Sequence, residues 1–419
     1  MLCCRQTANT VIAYSTVCYN APMIIRQGFK FRLDVSPAQD ARLRVLCGHA
    51  RYIWNRALRR CNEALAAEDQ RVPRYETMAK WITAWKRDEA TAWLAEAYTD
   101  NLQQKLRDLD TAWQRYFDPK LQADRPRDKK KGRDRDSIRF VNFPKYCRIE
   151  RRRVKLPSGL GWIRFRQSRP ILGEIKNCSV SYEAGHWQIS YQTERTVDAP
   201  AHPQPNTWIG IDLGIARFAT LSDGNFTAPL NSFKRHQQAL ANAQRQMSRK
   251  VKFSRNWLKA KARIQRLQRR IADVRRDYLH KTSTRISKNH AMIVIEDLQV
   301  KNMSASAKGT LAEPGKHVAA KSGLNRSILD QGWYEFRRQL EYKSLWAGGE
   351  VLAVPAHHTS QTCPVCGHIA RDNRQTQAHF ACIDCGYENN ADVVGALNIL
   401  ARGIETRAKG GTSPRSPVQ

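Results

Sequence analysis

The chain has 419 residues with 71 Lys and Arg against 38 Asp and Glu, a formal charge of +33, and 41% hydrophobic residues. That length suits two to four folded units, and the charge suits a polyanionic partner, with binding that weakens steeply as salt rises. No apolar run is long enough to span a membrane, and charge alone fits a structural RNA binder as well as an enzyme acting on nucleic acid.

Residues 1–22 hold one Arg and an apolar stretch broken by Thr, Asn and Ser, a poor signal peptide. They are expected to be a dispensable extension, with Met23 as a plausible start. Residues 23–35 then alternate as a strand, and Ser36-Pro37 is a cap followed by Pro at the first helical turn. Apolar residues at Leu43, Leu46, Ala50, Ile53, Trp54, Ala57, Leu58, Cys61 and Leu65 predict a long helix. Further helices to residue 123 carry Trp81, Trp85, Trp93 and Trp113, and at helical spacing these tryptophans are expected in a core rather than stacked on bases.

From Asp124 to Arg139 the sequence is dense in charge and lacks an apolar period. It reads as a solvated, mobile loop whose Lys129, Lys130, Lys131 and Arg133 contact phosphate. Strands follow to residue 200, with Glu183-Ala184-Gly185-His186 as a hairpin turn before the alternating Trp187, Ile189 and Tyr191.

Between residues 206 and 356 two short apolar runs end in an acid, Asp212 in WIGIDLG and Glu296 in MIVIEDL. A third acid, Asp392, opens ADVVGALNIL, where Val393, Leu397 and Leu400 repeat on one helix face. A lone acid at a strand end is usually a turn or cap residue, but three in such contexts can converge on hard divalent cations, which prefer oxygen ligands. Between the first two acids, residues 233–276 hold Asp273 as their single acid. Seams at Leu240, Met247 and Val251, then at Trp257, Ala260, Ile264, Leu267, Ile271 and Val274, predict two packed helices broken near Phe253-Ser254. One-signed charge repels itself unless phosphates screen it, so Arg249, Lys250, Lys252, Arg255, Lys259, Arg266 and Arg270 are expected on nucleic acid.

Cys363-Pro-Val-Cys366 and Cys382-Ile-Asp-Cys385 have four-thiolate zinc spacing, each pair followed by a Gly that permits a tight turn. Four thiolates close the coordination shell, so one zinc here is structural. A disulfide or redox pair is the weaker alternative, and His357, His358, His368 and His379 lie nearby. Cys3, Cys4, Cys18, Cys47, Cys61, Cys147 and Cys178 show no paired spacing, which fits a reducing cytosol.

The GIDLG strand, the IED strand and the NAD helix, in that order, resemble the RuvC branch of the RNase H-like fold. With TSQTCPVCGH, FACIDCGYENNADVVGALNIL and FKFRLDVSPAQDARL they resemble the TnpB family of transposon-encoded RNA-guided nucleases, from Met23 to about Gly403. The resemblance implies an α+β multidomain chain: a wedge-like β-barrel (23–35 and 124–200), a helical recognition lobe (36–123), a RuvC-like nuclease domain (206–356), a zinc ribbon insert (357–390), a final helix (391–403) and a disordered tail (404–419). It also implies that Asp212, Glu296 and Asp392 hold two Mg²⁺ ions for phosphodiester hydrolysis, guided by a bound RNA onto DNA beside a short motif. Many members carry D-R-D-x-N-A-A around the third acid; Asn390 and Val394 depart from it, which bears on fine geometry rather than on the acid itself. A transposase that joins DNA ends and a cleavage-inactive RNA-guided DNA binder stand as alternatives.

Overall fold

A computed structural model describes residues 22–67, 71–310 and 313–410; the N-terminal extension, apart from its last residue, and the final nine residues lie outside them. Among the described residues no helix is long and apolar enough to cross a membrane.

The first unit is an antiparallel sheet of β1 (Met23–Asp34), β2 (Ser137–Phe140), β3 (Arg148–Glu150), β4 (Arg153–Leu156), β5 (Gly161–Arg166), β6 (Glu174–Glu183) and β7 (His186–Val197), ordered β2-β6-β7-β1-β5-β4-β3. Period-two alternation buries Phe29, Phe31 and Leu33 of β1 against Trp187, Ile189 and Tyr191 of β7. The outer strands β2 and β3 do not pair, so the sheet stays open where a small wedge-like β-barrel was expected. Its open side is filled by Leu43, Leu46, Cys47 and Ala50 of the following helix. The β6–β7 turn is as read, with Ala184 and Gly185 both at positive φ, the signature of a two-residue hairpin loop.

That helix, α1 (Pro37–Ala66), starts at a reciprocal capping box between Ser36 and Gln39. Its second half packs Ile53, Ala57 and Cys61 against α2 (Tyr75–Arg87) and α3 (Thr99–Phe117) around Met78, Trp85, Leu106 and Trp113. Trp93 departs from the core reading: Glu89–Glu96 is a kinked 3₁₀ segment, and the ring is 42% exposed against His49 and Tyr52. The basic stretch expected to be mobile is tied along α1. Asn55 exchanges two hydrogen bonds with the backbone of Lys129, and Trp54 Nε1 donates to the Arg127 carbonyl. A short helix, α4 (Phe143–Tyr146), links β2 to β3.

The second sheet, ordered β10-β9-β8-β11-β12, comprises β8 (Trp208–Asp212), β9 (Ala219–Leu221), β10 (Phe226–Thr227), β11 (Met292–Glu296) and β12 (Glu350–Val354). Strands β8, β11 and β12 are parallel, and β9 runs antiparallel on the β8 edge. The crossovers are α5 (Ser232–Ser248), α6 (Arg255–Asn289), α7 (Val300–Met303), α8 (Val318–Gln331) and α9 (Trp333–Trp346). Phe218, Leu279, Ile286 and Phe336 fill one face of the sheet. The break at Phe253-Ser254 is present, but Val251 lies in the link, 80% exposed, rather than in the helical seam, and Val274 is also exposed.

After β12 the chain forms a small module with β13 (His379–Ala381) paired to β14 (Glu388–Asn390), then α10 (Ala391–Ala408) on the other face of the sheet. Helix α10 runs five residues past the expected end at Gly403. Its buried face is Val394, Gly395, Ala396, Ile399 and Gly403, with Val393, Leu397 and Leu400 half-buried. Small residues let the helix lie directly on the strand backbone: a methyl at Gly210 of β8 would collide with the Ala396 carbonyl.

Candidate active site

Parallel register sets two of the three acids side by side, and the third is near enough for its charge to act on Asp212. Ile211 of β8 is opposite Ile295 of β11, so Asp212 and Glu296 follow at adjacent strand ends. Helix α10 supplies the third, Asp392, in its first turn, where Asn390 caps the helix by accepting from the Asp392 N–H at 3.1 Å. Arg217 reaches that same Asn390 side chain at 3.3 Å, so the departure at this position forms a working cap. Gly395, one turn along α10, leaves room for Asp212: a Cβ there would lie 3.2 Å from Asp212 Oδ2.

Crowding of like charge in a buried place disfavours ionisation. Burial foremost, then the charges of Glu296 and Asp392, push Asp212 up to about 7, while Arg374 opposes the rise. Burial also raises Glu296, offset by a hydrogen bond from Thr359 Oγ1 at 2.9 Å. The donors are all carboxylate oxygens, and they sit where open α/β sheets bind ligands, at the carboxyl ends of parallel strands. That donor set suits Mg²⁺, whose charge would replace the proton on Asp212.

Reading the sequence did not single out Arg374, Thr359 or Asn398. Arg374, from the loop between the two CxxC pairs, brings Nη2 to 3.7 Å from Asp392 Oδ1. Asn398, buried on α10, donates to the carbonyls of Thr359 and Thr362 at 2.7 Å each and so holds the segment that orients Glu296. An amide on the apolar side of a helix was the one available signal for it.

The four predicted thiols are gathered as expected. Sγ atoms of Cys363 and Cys385, and of Cys366 and Cys382, are 3.6 Å apart, and all four lie within 4.8 Å of one another. A tetrahedron with 2.3 Å zinc–sulfur bonds has edges of about 3.8 Å, so the arrangement fits zinc. Gly367 and Gly386 sit at φ of 79° and 74° and close the two turns. N–H groups of Cys385 and then Asp384, aimed at the Cys382 sulfur, draw its thiol down to about 6. No histidine joins the cluster.

The expected nucleic-acid contacts divide. Lys130, Lys131, Arg133, Arg249, Lys250, Lys252, Arg255, Lys259, Arg266 and Arg270 are exposed. Lys261 Nζ donates to the Gly132 carbonyl, which brings the basic loop and α6 into one surface. Lys129 differs: its ammonium lies 3.5 Å from the centre of the Trp54 ring, and burial lowers it to about 8, so it stabilises the loop it was expected to extend from.

Fold and site define an α/β protein in which two acids end adjacent parallel strands, a third opens the helix packed on them, and four cysteines beside them could hold a metal. Residues 188–307 match a family described as "Probable transposase", residues 333–399 a "Cas12f1-like, TNB domain", and residues 23–70 a "Helix-turn-helix domain". Within that last match this chain forms β1 and the single long α1. The chain is 52% identical over 384 residues to "Putative RNA-guided DNA endonuclease InsQ" of Escherichia coli (strain K12), covering 92% of this chain and 94% of that one. It is 33% identical over 391 residues to "Putative RNA-guided DNA endonuclease" of Streptomyces pristinaespiralis, covering 92% and 91%. Among solved structures, "Cryo-EM structure of CasPhi-2 (Cas12j) bound to crRNA" aligns at 12% identity and TM-score 0.45 over 95% of this chain and all of that one. The chain belongs to the TnpB family.

Proposed function

We propose that this protein is an RNA-guided DNA endonuclease whose RuvC-like, RNase H-like domain hydrolyses DNA phosphodiesters. What supports the reading is that Asp212 and Glu296 end adjacent parallel strands and that Asp392, at a helix start, lies near enough for its charge to act on Asp212. Guidance by RNA and action on DNA come from the relatives, which are named for them. The zinc-ribbon reading rests on the four gathered sulfurs.

Asp212, Glu296 and Asp392 would hold Mg²⁺, two ions in this reading, and the bound metal would supply Lewis-acid polarisation of the phosphate and a water of lowered pKa. Asp212 would give up its proton on binding metal, because the carboxylates of Glu296 and Asp392, whose charges resist its ionisation, would favour a cation in the proton's place. Glu296 is held to one orientation by Thr359, and Asp392 by the helix start that Asn390 caps. No side chain here is needed as a nucleophile. Exposed cations of α5, α6 and the 130–133 loop bind phosphate without reading sequence, while base pairing to the guide selects the target and the protein reads a short adjacent motif.

The test is Mg²⁺-dependent cleavage of a plasmid library with a guide-matched site and randomised flanks, by co-expressed ribonucleoprotein. Cutting by the wild type at a consistent flank, and none by Asp212→Ala, is expected. Intact DNA despite bound guide and target favours a binding-only protein, and joined DNA products favour a transposase, the description attached to the match over residues 188–307.

A further inference from the structure

The α5–α6 hairpin is rooted firmly and ends in an unpartnered apolar tip. At the root, Asp330 accepts from the Ser232 hydroxyl at 3.0 Å and from the Phe233 N–H at 2.9 Å, closing the start of α5. Along the stem, Leu240 and Ala243 pack on Ile264. At the tip Phe253 is 70% exposed and Leu258 half exposed, beside the equally uncovered Val251, and the Phe253 and Trp257 rings are 5.4 Å apart.

Two costs coincide at Phe253. Exposing a phenyl ring forgoes burial, and φ of +68° is a conformation that L-residues other than Asn and Asp seldom adopt. Glycine would make the turn without either. Around the ring stand the exposed Arg249, Lys250, Lys252, Arg255 and Lys259, and no acid occurs from Arg249 to Ala272. Lys252 Nζ lies 5.3 Å from the Phe253 ring centre and Lys261 Nζ 5.4 Å from that of Trp257.

Such charge selects a polyanion, and a bare aromatic among those charges selects one with free base faces, hence a single strand rather than a duplex. The neutral polar side chains at the tip are Asn256 and Ser254, and Ser254 accepts from the Trp257 N–H to cap α6. Stacking on an aromatic face tolerates any sequence, as a target that changes with each guide requires. We propose that Phe253, flanked by Val251 and Trp257, is a stacking platform for unpaired bases of the DNA strand opened during target binding. This deepens the nuclease reading and rests on it for the choice of DNA.

The experiment measures fluorescence anisotropy of the full chain with one 20-nucleotide sequence as single-stranded DNA, as single-stranded RNA and as blunt duplex, across a salt series. Phe253→Gly is expected to weaken single-stranded DNA binding by roughly 5- to 100-fold, the range of one lost base stack, with the salt slope unchanged because no charge is removed. Duplex binding should hold within about twofold, Phe253→Tyr should bind like the wild type, and Tm of the Gly variant should be equal or higher because the strained φ is relieved. Lys252→Gln, by contrast, should weaken all three probes and lower the salt slope by about one. Wild-type affinity of Phe253→Gly for single-stranded DNA, an equal loss on duplex, or a loss as large on RNA would each overturn the proposal. Guide-dependent cleavage by the wild type is scored separately, so a failed nuclease reading is told apart from a failed platform.

Discussion

The hydroxyl of Thr359 donates to Oε1 of Glu296 at 2.9 Å, and both groups are buried. The segment leaving β12 is thereby fastened to the acid that ends β11, and Asn398 of α10 fastens the same segment from the other side. Thr359→Val keeps the shape and removes the donor. Losing a hydrogen bond to a charged acceptor costs about 1.5–3 kcal/mol, so cleavage should slow by roughly 10- to 100-fold. The lost bond also favoured the ionised form, so the acid limb of the pH profile should move upward. Thr359→Ser should restore both; a Val variant with unchanged rate and profile would remove the orienting role.

Asp212 sets the pH dependence. Its folded pKa, about 7, stands above the ordinary carboxylate range, so the folded chain binds more protons than the unfolded chain between roughly pH 4 and 7, and metal-free stability falls as pH rises through that window. Asp212→Asn should therefore raise Tm at pH 8 without metal while abolishing cleavage. Because Mg²⁺ competes with the proton, the midpoint of the pH–rate curve should fall as Mg²⁺ is raised. A midpoint independent of Mg²⁺ would count against Asp212 as a ligand.

Zinc removal should act on the site from a distance. Asp392 begins its helix directly after β14 of the thiolate module, and Arg374 within the module stands beside that acid. Chelation, or Cys382→Ser, should release about one zinc per chain, expose residues 357–390 to protease and abolish cleavage. Full activity with metal-free thiols would show that protein contacts alone hold the module.

Packing of α10 on β8 gives a prediction about shape alone. In Gly210→Ala the added methyl meets the Ala396 carbonyl, a backbone atom that cannot swing aside. Overpacking of this kind costs about 1–3 kcal/mol, and pushing α10 outward separates Asp392 from Asp212. Tm and cleavage should both fall, with zinc content unchanged. A variant as stable and active as the wild type would mean that the helix adjusts freely.

Much of this was legible along the chain because the signals are local. Apolar runs that end in an acid mark strands β8 and β11, paired CxxC units with trailing glycines mark the metal module, and the seam around Ile264 marks a packed helix. Each depends on neighbours within a few residues, where periodicity and turn chemistry act. One misreading concerns the helix that carries the third acid. Val393, Leu397 and Leu400 make the apolar stripe of α10 in sequence, yet the helix buries Gly395, Ala396 and Gly403, because close approach to a strand favours small residues that hydropathy does not mark.

Which residue types could bind metal and polyanion, and their order, are readable along the chain. That Asp212 and Glu296 stand side by side, that Arg374 reaches Asp392 from another module, that Lys129 lies over Trp54, and that Phe253 projects into solvent on a rooted hairpin emerge with the fold. Those are relations across long stretches of chain, set by strand register and by how closely helices and sheet can pack, and no short window of sequence encodes them.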